Sequence, residues 1–230
     1  MATKPTIYII SSDRHRNGKT LLARLLVDYL LLDGRDPFVI DANVPEGHLR
    51  AAFPGRTALV DFEQVQGQMT MFDTILGSLG RDYVIDIPAP QSENFFATLK
   101  ELNFPEEAER LGFQLVVLFI VDKDFASLNA ADDAQAAIGP NLLVTVRNAH
   151  VGSVLGFTQR GLTIDMPILD RDIVAIIEDR RFSIRSFVLG DESGMAAGGA
   201  VTKLKVFLLA VLSAFGDIDP AISLHRLKGN

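Results

Sequence analysis

Hydrophobic and polar positions follow two different periods along the chain. Short runs rich in Val, Ile and Leu predict β-strands, and stretches with apolar residues three or four positions apart predict helices. Strands are predicted at residues 5–11, 38–40, 83–85, 114–121, 142–146 and 162–166, with a short extended piece at 57–62. Helices are predicted at residues 20–33, 66–79, 92–101, 105–111, 125–137, 171–178 and 201–215.

This order predicts an α/β fold with a mostly parallel β-sheet between helices. Strands without polar interruptions are typically buried on both faces, and helices are the usual connections between parallel strands. The chain has 230 residues, and we find no internal repeat and no convincing linker. We therefore expect a single domain that covers residues 1–230.

Composition narrows the class of protein further. The chain contains no cysteine, which excludes disulfides, thiolate metal sites and iron–sulfur clusters. Residues 1–6 lack the apolar part of a signal peptide, and the apolar run 206–215 is shorter than the ~20 residues that span a bilayer. We expect a soluble cytoplasmic protein without a membrane partner. The net charge of −7 does not indicate DNA binding, which would have to use local basic patches.

The segment between the first predicted strand and the first predicted helix carries the clearest motif. Gly18-Lys19-Thr20 closes a polar loop and opens the helix. In such a loop, backbone N–H groups and the lysine bind phosphates, and the threonine hydroxyl helps to hold Mg²⁺. Asp13 stands where the usual pattern has its first glycine, and the tripeptide alone also occurs as a plain helix start. The context favours a nucleoside triphosphate site, which is expected to include Arg16, Asn17, Gly18, Lys19, Thr20 and Leu21.

Three polar side chains follow other predicted strands, at the sheet edge where ligands bind in this fold class. Asp86 is predicted to hold Mg²⁺ together with Thr20, and the alternative is a capping or turn aspartate. Asp41 has the same position after an earlier strand, and its alternative is a loop carboxylate that caps the next segment. The side-chain amide of Asn148 is predicted to form hydrogen bonds with the edge of a purine base. The alternative is an asparagine that forms a turn.

Together these segments resemble the ParA/MinD group of deviant P-loop ATPases. The resemblance is carried by the Gly-Lys-Thr loop, by residues 38–43 and 82–88, and by Met166-Pro167. It covers most of the chain. It implies a mostly parallel sheet, ATP and Mg²⁺ as cofactors, and two subunits that sandwich two ATP molecules. In that family the dimer is a switch for partner proteins, DNA or membrane.

The resemblance also implies roles for single residues. Arg14 occupies the position of the family's signature lysine, which contacts the phosphates of the other subunit, and arginine keeps the charge. His15 and Arg16 replace two glycines, so the loop conformation is expected to differ. Asn43 replaces the aspartate that positions the attacking water, and asparagine cannot act as a carboxylate base. We therefore expect ATP binding to be better preserved than hydrolysis.

In full, the resemblance and the residue patterns give three predicted sets. The catalytic set is Lys19, Asp41, Asn43 and Arg14, and the metal set is Thr20, Asp86 and Asp41. The nucleotide set adds Asn148 and Pro167 to the loop residues. The C-terminal residues 221–228 are only mildly amphipathic, unlike the membrane helix of MinD-like proteins.

Three functions follow from these observations. The first is a ParA-like ATP-dependent homodimer that acts on a protein partner in plasmid or chromosome partition, or in conjugation or mobilisation. The second is a small-molecule kinase or ligase of the dethiobiotin synthetase type. The third is a degenerate nucleotide-binding scaffold, because both the loop glycines and the aspartate at position 43 are altered.

Overall fold

The computed structural model describes residues 4–78, 80–151, 161–179, 182–190 and 198–229. Within these ranges the strands are β1 Thr6–Ser11, β2 Phe38–Asp41, β3 Thr57–Leu59, β4 Tyr83–Asp86, β5 Gln114–Val121, β6 Leu142–Asn148 and β7 Leu162–Met166. The helices are α1 Lys19–Leu32, α2 His48–Ala52, α3 Val65–Leu76, α4 Ser92–Glu101, α5 Phe104–Arg110, α6 Phe125–Ile138, α7 Arg171–Glu178, α8 Ile184–Val188, α9 Gly199–Gly216 and α10 Ile218–Gly229.

All seven strands form one parallel sheet in the order β3-β2-β4-β1-β5-β6-β7. This confirms the predicted fold class. β1 is central, with β4 on one side and β5 on the other. β2 and β3 extend the sheet beyond β4, and β6 and β7 extend it beyond β5. A ligand crevice in this fold class lies beyond the carboxyl ends of the strands, at the place where the order reverses. The loop after β1 leaves the sheet at that place.

Apolar side chains cover both faces of the sheet. Tyr8 and Ile10 of β1 pack in the layer that contains α1 and α9, whereas Ile7 and Ile9 pack in the layer that contains α4 and α6. Every residue of β5 is buried. Burial on both faces explains why these strands are continuous apolar runs rather than alternating ones. Removing a fully buried aliphatic side chain from water stabilises the fold by roughly 1.5–3 kcal/mol.

Several elements differ from the sequence prediction. The helix predicted at 66–79 is Val65–Leu76, and Leu79 lies outside the described residues. Helices α2 and α8 have five residues each, too few for a periodic apolar pattern. The sequence prediction contains no helix at residues 221–228, whereas α10 is an α-helix of 12 residues that spans Ile218–Gly229.

One helical stretch of the described residues, Gly199–His225, is long and apolar enough to cross a membrane by length and composition. It exceeds the apolar run at 206–215 because the small and polar residues around that run are helical too. Helices in the cores of soluble proteins can have the same length and composition. The absence of a membrane partner stays a prediction.

Arg24 connects α1 to the region around α7 through hydrogen bonds to backbone carbonyls. Arg24 and Asp28 lie one turn apart on α1, and Asp28 is 3% exposed. The Arg24 guanidinium donates to the carbonyls of Ile177 and Phe182. Burial raises the pKa of Asp28 to about 6, although Arg24 and a backbone N–H bond from Arg185 act in the opposite direction.

Replacing Asp28 by asparagine is expected to stabilise the protein at pH 8 but not at pH 4. The pKa of Asp28 in the folded state lies above its value in the unfolded state, so ionisation opposes folding. The free energy of unfolding therefore falls as the pH rises between these two pKa values. A rise of about two in pKa corresponds to about 3 kcal/mol. Urea unfolding at both pH values measures the difference. Asp73→Asn, at an exposed position of α3, is the control, and an equal gain at both pH values would contradict the prediction.

Candidate phosphate-binding site

The loop between β1 and α1 folds around the ammonium group of Lys19. This group donates to Ser12 Oγ at 3.0 Å, to the Arg14 carbonyl at 2.7 Å and to Asn17 Oδ1 at 3.3 Å. Lys19 is the first residue of α1 and is buried. Burial lowers the pKa of this ammonium group, while Asp86 and Asp13 favour its charged form. The three oxygens are uncharged, so phosphate oxygens would be stronger acceptors for the same group.

Gly18 and Asn148 fix the end of the loop. Gly18 has a φ of +94°, and a Cβ there would lie 2.9 Å from Asn148 Nδ2. That amide donates to the Asn17 carbonyl at 2.8 Å, and Asn148 Oδ1 accepts the His150 N–H at 3.0 Å. Asn148 at the end of β6 therefore supports the backbone of the loop. Its predicted contact with a purine edge stays a prediction.

The residues that replace glycines do not prevent the loop from turning. Arg16 has a φ of +56°, in the left-handed region that side chains disfavour. The arginine thus adopts an angle that its side chain disfavours. That the loop conformation differs from the family's stays a prediction. The left-handed conformation costs roughly 1–2 kcal/mol for a residue with a side chain.

Replacing Arg16 by glycine is expected to raise the free energy of unfolding by about 0.5–1 kcal/mol. Glycine relieves the left-handed strain but loses more backbone entropy on folding, so only part of the strain is recovered. Chemical denaturation measures the change. His15→Gly is the matched control, because His15 is not among the residues with positive φ and should only lose stability. A loss of stability in Arg16→Gly would contradict the prediction.

Thr20, Asp86 and Asn43 meet at the other side of the loop. The Thr20 hydroxyl donates to Asp86 Oδ2 at 2.7 Å, and Asn43 Nδ2 donates to the same oxygen at 2.8 Å. Asp86 Oδ1 is buried and has no hydrogen-bond partner among the described residues. Burial raises the pKa of Asp86 to about 7, and the nearby Asp41 adds to the rise.

These residues fit a magnesium ion held together with phosphates. A hydroxyl and a carboxylate supply the hard oxygen ligands that Mg²⁺ prefers, and the unpartnered Oδ1 of Asp86 has capacity for a ligand or a bound water. In the described part of the chain, no group of three or more His, Cys, Asp or Glu residues could form a metal site alone. Mg²⁺ is usually bound through one or two carboxylates with phosphates and waters, which matches this arrangement.

Asp41 lies next to this corner, and both of its carboxylate oxygens accept hydrogen bonds. Its Oδ1 accepts the backbone N–H and the Nδ2 of Asn43, both at 3.0 Å. Its Oδ2 accepts the N–H of Leu49 in α2 at 2.9 Å. This geometry corresponds to the capping role considered above. Its roles in metal binding and catalysis stay predictions.

The remaining predicted residues lie at the same sheet edge. Pro167 follows β7, whose last residue Met166 is in register with Asn148. Leu21 is in the first turn of α1 and packs against the core layer of that face. Ser92 at the start of α4 shares a hydrogen bond of 2.8 Å with Ser11 at the end of β1, which links the loop after β4 to the central strand.

Arg14 has partners that sequence analysis missed. Its Nη2 donates to Asp124 Oδ2 at 2.7 Å, and its Nε lies 3.2 Å from Asp13 Oδ2. Asp13 also accepts a bond from Ser127. Asp124 and Arg14 are 110 positions apart in the chain, so no local pattern could have connected them.

A parallel sheet whose central strand runs into a Gly-Lys-Thr loop and a helix defines a P-loop α/β fold. No protein-family model matches the chain, and no curated protein matches it. Among solved structures, a chain of the MinC:MinD cell division protein complex from Aquifex aeolicus is similar, with a TM-score of 0.56 and 14% identity. The match covers 98% of this chain and 96% of that chain.

A second similar structure is a nucleotide-binding protein from Archaeoglobus fulgidus, solved in complex with ADP. It has a TM-score of 0.50 and 13% identity, and the match covers 79% of this chain and 90% of that chain. At these identities the similarity concerns the fold. The chain therefore has a ParA/MinD-like P-loop fold.

Proposed function

We propose that the protein is a ParA/MinD-like switch that binds ATP and Mg²⁺ within a single domain. One observation carries the proposal: the loop holds the Lys19 ammonium group beside Thr20 and Asp86, and the second carboxylate oxygen of Asp86 has no hydrogen-bond partner within the described ranges. Asn17 Nδ2 is a second buried polar atom without a partner among the described residues, and it lies in the same loop. Buried polar atoms are nearly always hydrogen-bonded, so both atoms are candidates for contacts with the bound nucleotide.

The nucleotide and the partner are inferred from the fold. The similar Archaeoglobus protein was solved with ADP, and the Aquifex structure is a complex of two proteins. By analogy, we infer that this chain forms an ATP-dependent homodimer and acts on a protein partner in the cytoplasm, in partition or in conjugation. Arg14 would contact phosphates of the other subunit, and Pro167 and Asn148 would lie near the base.

Hydrolysis is proposed to be slow or dependent on a partner. Asn43 uses its side-chain N–H groups on the carboxylates of Asp41 and Asp86. It can orient a water molecule but cannot take a proton from it. Catalysis would then depend on the positioning of phosphates by Lys19 and on the metal held at Thr20 and Asp86.

Light scattering with and without nucleotide tests the proposal. The protein is expected to change from monomer to dimer mass with Mg²⁺ and ATP, and to remain monomeric with ADP. Arg14→Ala should bind ATP but fail to dimerise, since it lacks the cation that would cross the interface. An absence of ATP binding in calorimetry would contradict the proposal and favour a scaffold role.

One observation favours the kinase alternative as a second candidate. A cavity of about 420 Å³ lies beside Thr20 and Leu21, between α2 and α7, with His48 and Glu178 in its lining. A small-molecule kinase needs such a second pocket next to the phosphates. ATP consumption by a monomer that depends on a metabolite, and that falls in His48→Ala, would support this function.

A further inference from the structure

A set of contacts joins the phosphate loop to the start of α6. Arg14 Nη2 donates to Asp124 Oδ2 at 2.7 Å, and Arg14 Nε pairs with Asp13 Oδ2 at 3.2 Å. The other oxygen of Asp13 accepts the Ser127 hydroxyl at 2.6 Å. We call these four residues, Asp13, Arg14, Asp124 and Ser127, the α6 latch. The latch directs Arg14 toward α6 of its own subunit.

The two halves of the latch differ in exposure. Ser127 is fully buried, and its oxygen also accepts the Asp122 N–H at 3.0 Å, so this half is a fixed part of the fold. The side chains of Arg14 and Asp124 are 44% and 54% exposed. An ion pair of this exposure contributes little to stability and can be exchanged for another anion. Asp13 is thus the anchor, and Asp124 is the partner that Arg14 can leave.

The latch is also connected to Lys19. The Lys19 ammonium group donates to the Arg14 carbonyl at 2.7 Å, so the backbone that carries Arg14 is held by the group expected to bind phosphates. If phosphate oxygens replace that carbonyl as acceptor, this restraint on Arg14 is lost. Nucleotide binding and the release of Arg14 are therefore coupled through one hydrogen bond.

We propose that the α6 latch keeps Arg14 within its own subunit until ATP is bound, and that Asp124 is a positioning residue that competes with the other subunit's phosphates for this guanidinium. The inference rests on the proposed ATP-dependent dimer and adds its regulation. A dimer breaks two such ion pairs, one in each subunit. Removal of the charge at position 124 should therefore favour dimer formation without a change in any phosphate contact.

The test compares Asp124→Asn with wild type by analytical ultracentrifugation in Mg²⁺ and a non-hydrolysable ATP analogue. Asparagine is as good an N-cap as aspartate, so α6 keeps its start at this position. The dissociation constant of the dimer is expected to fall by about threefold to tenfold, the effect of two weak ion pairs. Asp133→Asn, an exposed position on the same helix, makes the same charge change and should have no effect.

Asp124→Glu tests whether the effect comes from the ion pair rather than from a structural change in α6. It keeps a carboxylate that can pair with Arg14, so its dimer should have a dissociation constant close to that of wild type. An unchanged or weaker dimer in Asp124→Asn alone would overturn the latch and leave the ATP-dependent dimer standing. If Asp124→Asn dimerises and wild type does not, the result supports a latch that prevents dimer formation completely. If no variant dimerises with the analogue, the proposed function fails and the latch fails with it.

Discussion

Replacing Lys19 by methionine is expected to weaken ATP binding by at least about 100-fold. Hydrogen bonds to charged groups contribute about 1.5–3 kcal/mol each, and a lysine that bridges phosphates loses two of them, where every 1.4 kcal/mol is tenfold. Methionine keeps the buried apolar stem, so the change removes mainly the charge and the donors. Calorimetric titration with Mg²⁺ and ATP measures the affinity.

Lys4→Met is the matched control for this change. Lys4 is exposed and precedes β1 at the opposite edge of the sheet, so its replacement should leave the affinity unchanged. An affinity of Lys19→Met within threefold of wild type would mean that the loop does not bind phosphates through this side chain. The proposed function would then lose its main support.

Replacing Asn43 by aspartate is expected to lower the free energy of unfolding by about 3 kcal/mol at pH 8 in the absence of nucleotide. The Asn43 amide donates to Asp41 at 3.0 Å and to Asp86 at 2.8 Å. A carboxylate at position 43 would lose both hydrogen bonds and would repel the two buried carboxylates. Removal of one partner from a buried charged network typically lowers the free energy of unfolding by about 3–5 kcal/mol. The loss should be smaller at pH 5, where protonation relieves the repulsion.

Thermal and urea unfolding at the two pH values measure this effect, and Mg²⁺ with ATP should restore part of the stability because the metal neutralises the added charge. Asn94→Asp, on the exposed face of α4, controls for the charge change alone. Equal stability of Asn43→Asp and wild type at pH 8 would show that this amide does not bridge the two carboxylates. Faster ATP hydrolysis by Asn43→Asp would agree with the proposed reason for slow turnover.

The strands were predictable because their burial leaves a simple pattern. β5 and β7 have the bounds expected from the sequence, Gln114–Val121 and Leu162–Met166. The apolar run in β5 fits a strand that is buried on both faces. β7 is an edge strand in which Thr163 and Asp165 alternate with apolar residues, which is the pattern of a strand with one buried face. The first residue of α1 is Lys19 rather than Thr20, since helix ends are set by the backbone of the cap, here Gly18.

The site was predictable only in part. The position of the loop and of Asp86 follows from strands that end at one sheet edge, which is a property of the topology. Helix α2 was missed because it has five residues and follows Gly47 at a φ of +59°. Its Leu49 N–H bonds to Asp41, a contact that no apolar period records. The contacts of Arg14 with Asp124 and of Asp13 with Ser127 join distant segments and leave no local signal.

The two aspartates that end β2 and β4 are unequal. Both oxygens of Asp41 accept hydrogen bonds from backbone and amide donors, whereas Asp86 Oδ1 has no partner in the part of the chain that the structure describes. Asp86 also accepts hydrogen bonds from Thr20 at the start of α1 and from Asn43 after β2. If the proposed metal binds Asp86, a change of ligand at this carboxylate acts on both of those segments through single hydrogen bonds.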